Sequence, residues 1–252
     1  VVGQQSETNG YGSGGETPSA NSNVIDKFPF ATDANATDIA DLTSSRRDGG
    51  GQSSRESGYF SGGADPSTRV TTVDKFPFAV DTNATDSGDL TQARSGIRGS
   101  SSSTHGYNAS GFFPPSSRLN TIDKFPFASD NNSGDVGNLI TGTSNGAGGQ
   151  SSPTHGYTAG GFISAAGDSN VIEKYPFAVD TDSSDVGDLS QARQSGAGQS
   201  STVSGYSSGG LQPSVPTERV DTIDKFPFAS DTNASDVGNL TKGRDNIGGC
   251  QV

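Results

Sequence analysis

IDKFPFA at residues 25–31 recurs as VDKFPFA at 73–79, IDKFPFA at 122–128, IEKYPFA at 172–178 and IDKFPFA at 223–229. The lysines of these copies, Lys27, Lys75, Lys124, Lys174 and Lys225, are 48, 49, 50 and 51 residues apart. A fixed period of this length marks a repeat architecture, in which each unit buries its apolar surface against its neighbours. Fifteen residues after each lysine stands a leucine, at Leu42, Leu90, Leu139, Leu189 and Leu240, so this half of the unit admits no insertions. Upstream lies a glycine-tyrosine pair, ending at Tyr11, Tyr59, Tyr107, Tyr157 and Tyr206, and then a Gly-Gly such as Gly14-Gly15 or Gly62-Gly63. The tyrosine-to-lysine gap runs from 16 to 19 residues, so much of the length variation falls in the loop between them. Surface loops tolerate such change.

Within a unit, short runs are separated by turn residues, as in GAGQSS (196–201), HGYTAGG (155–161), NVIEKYPFA (170–178) and SSDVGDLS (183–190), which read as first, second, third and fourth strands. No segment carries a helical apolar period, and glycine recurs too often for helices of any length. Phe28 and Phe30 share one face of the third strand while Ile25 projects from the other, so that strand needs neighbours on both sides. Radially stacked four-stranded sheets meet this need. The predicted fold is therefore all-β, a β-propeller of five four-stranded blades in a single domain spanning 1–252. Its units fall near 1–48, 49–96, 97–145, 146–195 and 196–246, with 247–252 as a partial strand. Small residues in the first strand suit the wall of a central channel. Pro29 and its equivalents withhold a ladder donor, which predicts a bulge or irregular pairing at that point.

The order Gly-Tyr, Gly-Gly, variable loop, aromatic third strand, turn, then leucine with an arginine four residues on (Leu42/Arg46, Leu90/Arg94, Leu189/Arg193, Leu240/Arg244) resembles the kelch repeat. The tryptophan usual in that repeat is replaced by Ile39, Ser87, Val136, Val186 and Val237, and unit three has Ser110 for the first Gly and Thr143 for the Arg. The resemblance covers essentially the whole chain and implies a propeller. The chain is also similar to kelch-like repeat proteins of marine phages and bacteria. Ile247–Val252 and Val1–Ser6 fall in the same slot of the repeat, so two segments are expected to compete for one strand position as the five-bladed ring closes. A surplus strand offers a route to self-association.

The composition is acidic and polar, with 16 basic against 28 acidic residues, a net charge of −12 and 28% hydrophobic residues. Such a chain repels phosphate backbones, which argues against nucleic acid. No apolar run has the length to span a bilayer, so no membrane insertion is expected. The start at Val1 reads as a processed product or a piece of something longer. Cys250 is the one cysteine, so no internal disulfide forms.

The acidic turn after the third strand gathers oxygen ligands, Asp33, Asn35, Asp38 and Asp41 in unit one and Asp180, Asp182, Asp185 and Asp188 in unit four. In unit two Asp81, Asn83, Asp86 and Asp89 are the calcium candidates. Their spacing matches neither the EF-hand nor the nonapeptide pattern, and Asx turns capping a hairpin account for the composition. The repeated lysine is expected in solvated or cross-strand pairs, Asp26 with Lys27 and its copies. His105 and His155 occur in only two units, and Cys250 sits in a tail. No Ser/His/Asp order, Walker motif or dinucleotide motif is present, and the units are too alike to build one asymmetric catalytic site. No enzyme activity and no cofactor is expected.

Individuality resides in the loops at 16–23, 64–70, 112–120, 162–169 and 211–221, where Phe112, Phe113, Phe162, Ile163 and Leu211 stand out as partner-binding residues. The leading expectation is a non-enzymatic structural or attachment module, extracellular or on a virion surface, with a protein or glycan surface as partner. The alternative is a multivalent lectin with glycans stacked between blades on Tyr11, Tyr59, Tyr107, Tyr157 and Tyr206. The bland reading of those tyrosines is core packing between blades.

Overall fold

The computed structural model describes residues 1–146, 149–163, 167–212 and 218–249; Cys250 and parts of the loops at 162–169 and 211–221 lie outside the described residues. Among the described residues every regular element is a strand. Blade one is Val2–Gln5, Asn9–Ser13, Val24–Pro29 and Thr37–Asp41, and blade two is Gly50–Ser53, Ser57–Ser61, Thr72–Pro77 and Thr85–Asp89. Blade three is Arg98–Ser101, His105–Phe113, Ser117–Pro126 and Gly134–Asn138. Blade four is Gly149–Ser151, His155–Ile163, Gly167–Pro176 and Ser184–Asp188. Blade five is Ala197–Ser200, Ser204–Ser208, Thr222–Pro227 and Ser235–Asn239, with a small hairpin of Leu211–Gln212 and Glu218–Arg219. Each sheet is antiparallel and runs inner to outer in chain order. The five stand in a ring, a five-bladed β-propeller.

Inner strands crowd the axis. A Cβ added at Gly99 would lie 2.0 Å from the Gly51 carbonyl oxygen, and one at Gly149 would lie 2.4 Å from that of Gly99. Backbones that close exclude side chains, which is why each first strand has glycine at this position, Gly3, Gly51, Gly99, Gly149 and Gly198. The channel they enclose has a cavity of about 240 Å³. The glycine before each tyrosine has a similar cause. Gly58 pairs with Phe76 across the sheet, and a Cβ there would meet the Phe76 ring at 2.4 Å.

Pairing irregularities do not fall at the proline. Pro29 closes the third strand opposite Asn9, where its missing N–H costs no interior ladder bond, and the register shifts between Ile25 and Asp26. The shift recurs at Ile122/Asp123, Ile172/Glu173 and Ile223/Asp224. The extra residue lies on the fourth strand, Ile39 in blade one; along the third strand plain alternation turns Ile25 toward the next blade and the acid and the two aromatics to the opposite face.

Blades join through one repeated set of contacts. Tyr11 stacks on Phe78 at 4.7 Å, Tyr59 on Phe127 at 4.9 Å, Tyr107 on Phe177 at 4.6 Å and Tyr157 on Phe228 at 4.9 Å. Arg46 pairs with Asp74, Arg94 with Asp123 and Arg193 with Asp224, all six side chains fully buried. The lysines do not pair across their own strands. Lys27 reaches Asp81 at 2.6 Å, Lys75 reaches Asp130 at 3.0 Å and Lys174 reaches Asp231 at 2.6 Å, each in the next blade, because the third-strand lysine shares its face with Ile25 and not with Asp26.

The boundary between blades three and four is rewired. Thr143 replaces the arginine, and Arg98 of the inner strand sends its guanidinium into the vacated space, donating to Thr143 Oγ1 at 2.8 Å and to the Gly160 carbonyl at 2.7 Å. Glu173 replaces the acid and accepts from the Ile140 N–H at 2.7 Å. Tyr175 replaces the phenylalanine, and its hydroxyl lies 2.7 Å from Ser100 Oγ, where blade two has Gln52. Burial pushes the Tyr175 hydroxyl well above its ordinary pKa, so it stays protonated and free to donate. Tyr175→Phe is expected to cost about 1 kcal/mol, since it strands a buried serine hydroxyl, and the double variant with Ser100→Ala should cost less than the two singles together, as read by urea denaturation.

The chain end departs from expectation. Residues 247–249 do not compete with 1–6 for one slot. A Cβ at Gly249 would lie 2.1 Å from the Gly198 carbonyl oxygen, and one at Gly248 would lie 3.7 Å from that of Val1, so the segment occupies a place of its own between blades five and one. The cause is the turn that precedes it. Asn246 N–H donates to Ser195 O at 2.7 Å, as Ser195 N–H donates to Asn145 O at 2.7 Å, which carries the chain forward one further position around the axis.

Candidate functional site

Connections between second and third strands emerge on one face of the ring, and the acidic turns between third and fourth strands on the other, because each sheet is a simple antiparallel meander. On the first face the five hairpins place one cross-strand pair each at an equivalent position: Glu16 with Asn21, Ala64 with Arg69, Phe112 with Arg118, Phe162 with Asp168 and Leu211 with Arg219. Every hairpin from blade two onward is also bridged to the turn that ends the previous blade, through Arg47, Ser95, Ser144 and Gln194. The ring of pairs is thus held from both sides.

These positions are unlike one another, and three of the blades build a single ridge from them. The Arg118 guanidinium lies 5.1 Å from the Phe112 ring centre and 4.7 Å from that of Phe162, and Arg69 covers Phe112 at 5.6 Å. Arg69 Nε also donates to Ser95 Oγ at 2.9 Å, which fixes its angle. Stacked guanidinium and ring planes hold each other in place, and each contact is worth on the order of 1 kcal/mol. Phe113 stands exposed at the end of the same strand. The ridge is cationic and aromatic on a molecule whose net charge is −12.

Phe112, Phe162 and Leu211, singled out from the sequence, occupy the equivalent positions, with Phe113 and Ile163 next to two of them. Sequence reasoning missed their cross-strand partners. Arg69, Arg118, Asp168 and Arg219 all stand six residues before the lysine of their unit, a fixed offset inside a loop of variable length. That offset was the available signal.

Asp168 takes the place that arginine holds in blades two and three. Both of its oxygens lack hydrogen-bond partners, and desolvation raises its pKa to about 6. The native state then holds a proton that the unfolded chain releases near its ordinary value of 3.8, so stability falls as pH rises from about 4 to about 6. Asp168→Asn is expected to remove this fall and to stabilise the protein at pH 7.5 by on the order of 1 kcal/mol, discounted because the side chain is only partly buried. It should change nothing near pH 3.5, and melting curves across this range provide the check.

The acidic turns serve other ends. Asp81 accepts from Lys27, Asn83 Oδ1 from the Asp41 N–H at 3.1 Å, Asp86 from the Gly88 N–H at 2.9 Å and Asp89 from Thr71 Oγ1 at 2.6 Å. The four calcium candidates thus point to four separate partners, and among the described residues no group of three carboxylate, histidine or cysteine side chains converges. Asn132, Asp182 and Asn233 repeat the Asn83 bond in later blades. Tyr11, Tyr59, Tyr107 and Tyr157 are buried beneath the aromatics of the next blade, so their ring faces do not receive a sugar, and packing between blades is the role they fill. Tyr206 alone is half-buried. The histidines bond to their neighbours, His105 Nδ1 to Thr104 at 2.9 Å and His155 Nδ1 to Thr154 at 2.8 Å, and burial lowers both pKa values. No family model matches the chain and no curated protein matches it, so the fold and the ridge carry the functional argument alone.

Proposed function

We propose that this chain is a kelch-like propeller acting as a non-enzymatic structural or attachment module on the outside of a virion or cell, with the hairpin face as its contact surface. The observation that carries the reading is the stack of Arg69, Phe112, Arg118 and Phe162 across three blades whose cores are otherwise near copies. Arginine and aromatic side chains held rigid before contact are the residue types that dominate protein interfaces, since little side-chain freedom remains to be lost. The long second and third strands of blades three and four lift the ridge clear of the ring. The opposite face spends its charges on joining blades, which leaves it a poorer contact surface.

A photoreactive residue placed at 113, with another at 179 on the acidic-turn face, tests this in the particle or cell fraction from which the chain is recovered. The expected result is a discrete crosslinked protein from position 113 and none from 179. Crosslinks confined to 179 overturn the assignment. A specific hit on a glycan array overturns it in favour of a lectin.

A further inference from the structure

Each formed boundary has two chemically distinct halves. The earlier blade offers tyrosine, leucine, arginine and lysine; the later blade offers an acid, two aromatics and an acidic turn, as in Tyr59, Leu90, Arg94 and Lys75 against Asp123, Phe125, Phe127 and Asp130. Between blades five and one both halves are present and neither is engaged. On blade five, Arg244 is exposed and bonds only within its own turn, to Lys242 O and Thr241 Oγ1, whereas Arg46, Arg94 and Arg193 are fully buried. Val237 is 51% exposed where Val186 is 9%. Lys225 has no acidic partner among the described residues and lies instead 5.9 Å from the ring centre of its own blade's Tyr206. On blade one, Asp26 is exposed and has no ion partner among the described residues, and Phe30 is 52% exposed.

These two halves match each other, yet residues 247–249 hold them apart. Asn246 N–H to Ser195 O continues the ladder that Gly96, Asn145 and Ser195 make around the axis, and Gly249 sits against Gly198 as Gly99 sits against Gly51. Ile247–Gly249 therefore lies beside the first strand of blade five where the first strand of a following blade would lie, and it forms no strand itself.

We propose that the cleft between blades five and one is a docking site for one further unit of this same repeat. Its occupant is specified by what faces it. Toward blade five it presents an acid for Arg244, a phenylalanine pair for Tyr206 and an acidic turn for Lys225. Toward blade one it presents an arginine for Asp26, and a tyrosine and a leucine for Phe28 and Phe30. Only a unit of this repeat carries both sets at the right separation. In a second copy of the chain every unit has at least one face engaged by a neighbour in its own ring, so none of them fills both sides of the cleft at once.

The test is a six-unit chain, residues 1–249 followed in line by a second copy of residues 52–96, compared with the 252-residue chain. The expected result is a melting temperature higher by roughly 5–10 °C, because one unfilled boundary becomes two filled ones. Nitration of Tyr206 by tetranitromethane should fall at least about tenfold, as expected for a ring moved from half-exposed to buried. Arg244→Asp in the six-unit chain should remove a large part of the gain measured against Arg244→Asp in the 252-residue chain. A six-unit chain that melts where the shorter one does, with Tyr206 equally reactive, overturns the proposal. So does a stable dimer of the 252-residue chain in which Tyr206 is already protected, since the occupant is then a second copy.

Discussion

Asp123→Ala is expected to cost about 3–5 kcal/mol, while Asp26→Ala, at the same position of the repeat, changes stability by no more than about 0.5 kcal/mol. Asp123 accepts from Arg94 Nη2 at 2.8 Å, from the Thr91 N–H at 2.9 Å and from Thr91 Oγ1 at 2.7 Å, with both partners of the ion pair at 0% exposure. Removing it leaves a buried guanidinium whose remaining bond is to the Asn108 carbonyl. Burial already lowers the pKa of Arg94 against the opposing pull of Asp123, so the loss of that carboxylate exposes the full cost of desolvation. Asp26 faces the unfilled cleft in water, and its loss strands nothing. Urea denaturation of the two variants side by side gives the comparison; equal losses would mean that Asp26 has an ion partner after all.

Tyr59→Ala is the second large effect, a loss of about 3–5 kcal/mol against about 1 kcal/mol or less for Tyr206→Ala. Tyr59 is 2% exposed, stacked on Phe127 and tilted against Phe125 at 5.2 Å, so its truncation opens a cavity between two rigid sheets. Sheets pinned by Arg94–Asp123 and Lys75–Asp130 cannot collapse to fill it. Tyr206 covers one side of its own blade and has no ring from a following blade above it. Thermal melting of the two variants reads the difference. A Tyr206→Ala loss as large as that of Tyr59→Ala would show that its boundary is closed in solution.

The hairpin ridge was half legible in the sequence. Phe112, Phe113, Phe162 and Leu211 could be found because the repeat makes them stand out as unit-specific apolar residues in a loop. Arg118 stands six residues from Phe112 and at the fixed offset before its lysine, but the contacts of Arg69 with Phe112 and of Arg118 with Phe162 could not be read from local pattern, because each reaches a ring of the next blade, 43 or 44 residues away. The lysines teach the same lesson. Asp26 is adjacent in sequence and was the natural partner for Lys27, but neighbours on a strand point to opposite faces, and the carboxylate that reaches Lys27 is Asp81, in the next unit.

By itself the sequence determined the strands, the five units and the loops that vary, because each of these is set by residues within about 50 positions and is stated five times. The tertiary structure decided which unit meets which. Thr143 is a degenerate arginine position when read along the chain, and only the fold shows Arg98 supplying the guanidinium from another strand. Tyr206 and Leu240 read the same as their four counterparts, and Arg244 the same as Arg46, Arg94 and Arg193, yet Tyr206 and Leu240 are only half-buried and Arg244 is exposed. Their burial depends on a following sheet, and a repeat motif encodes the shape of its own faces without encoding whether a neighbour is there to cover them.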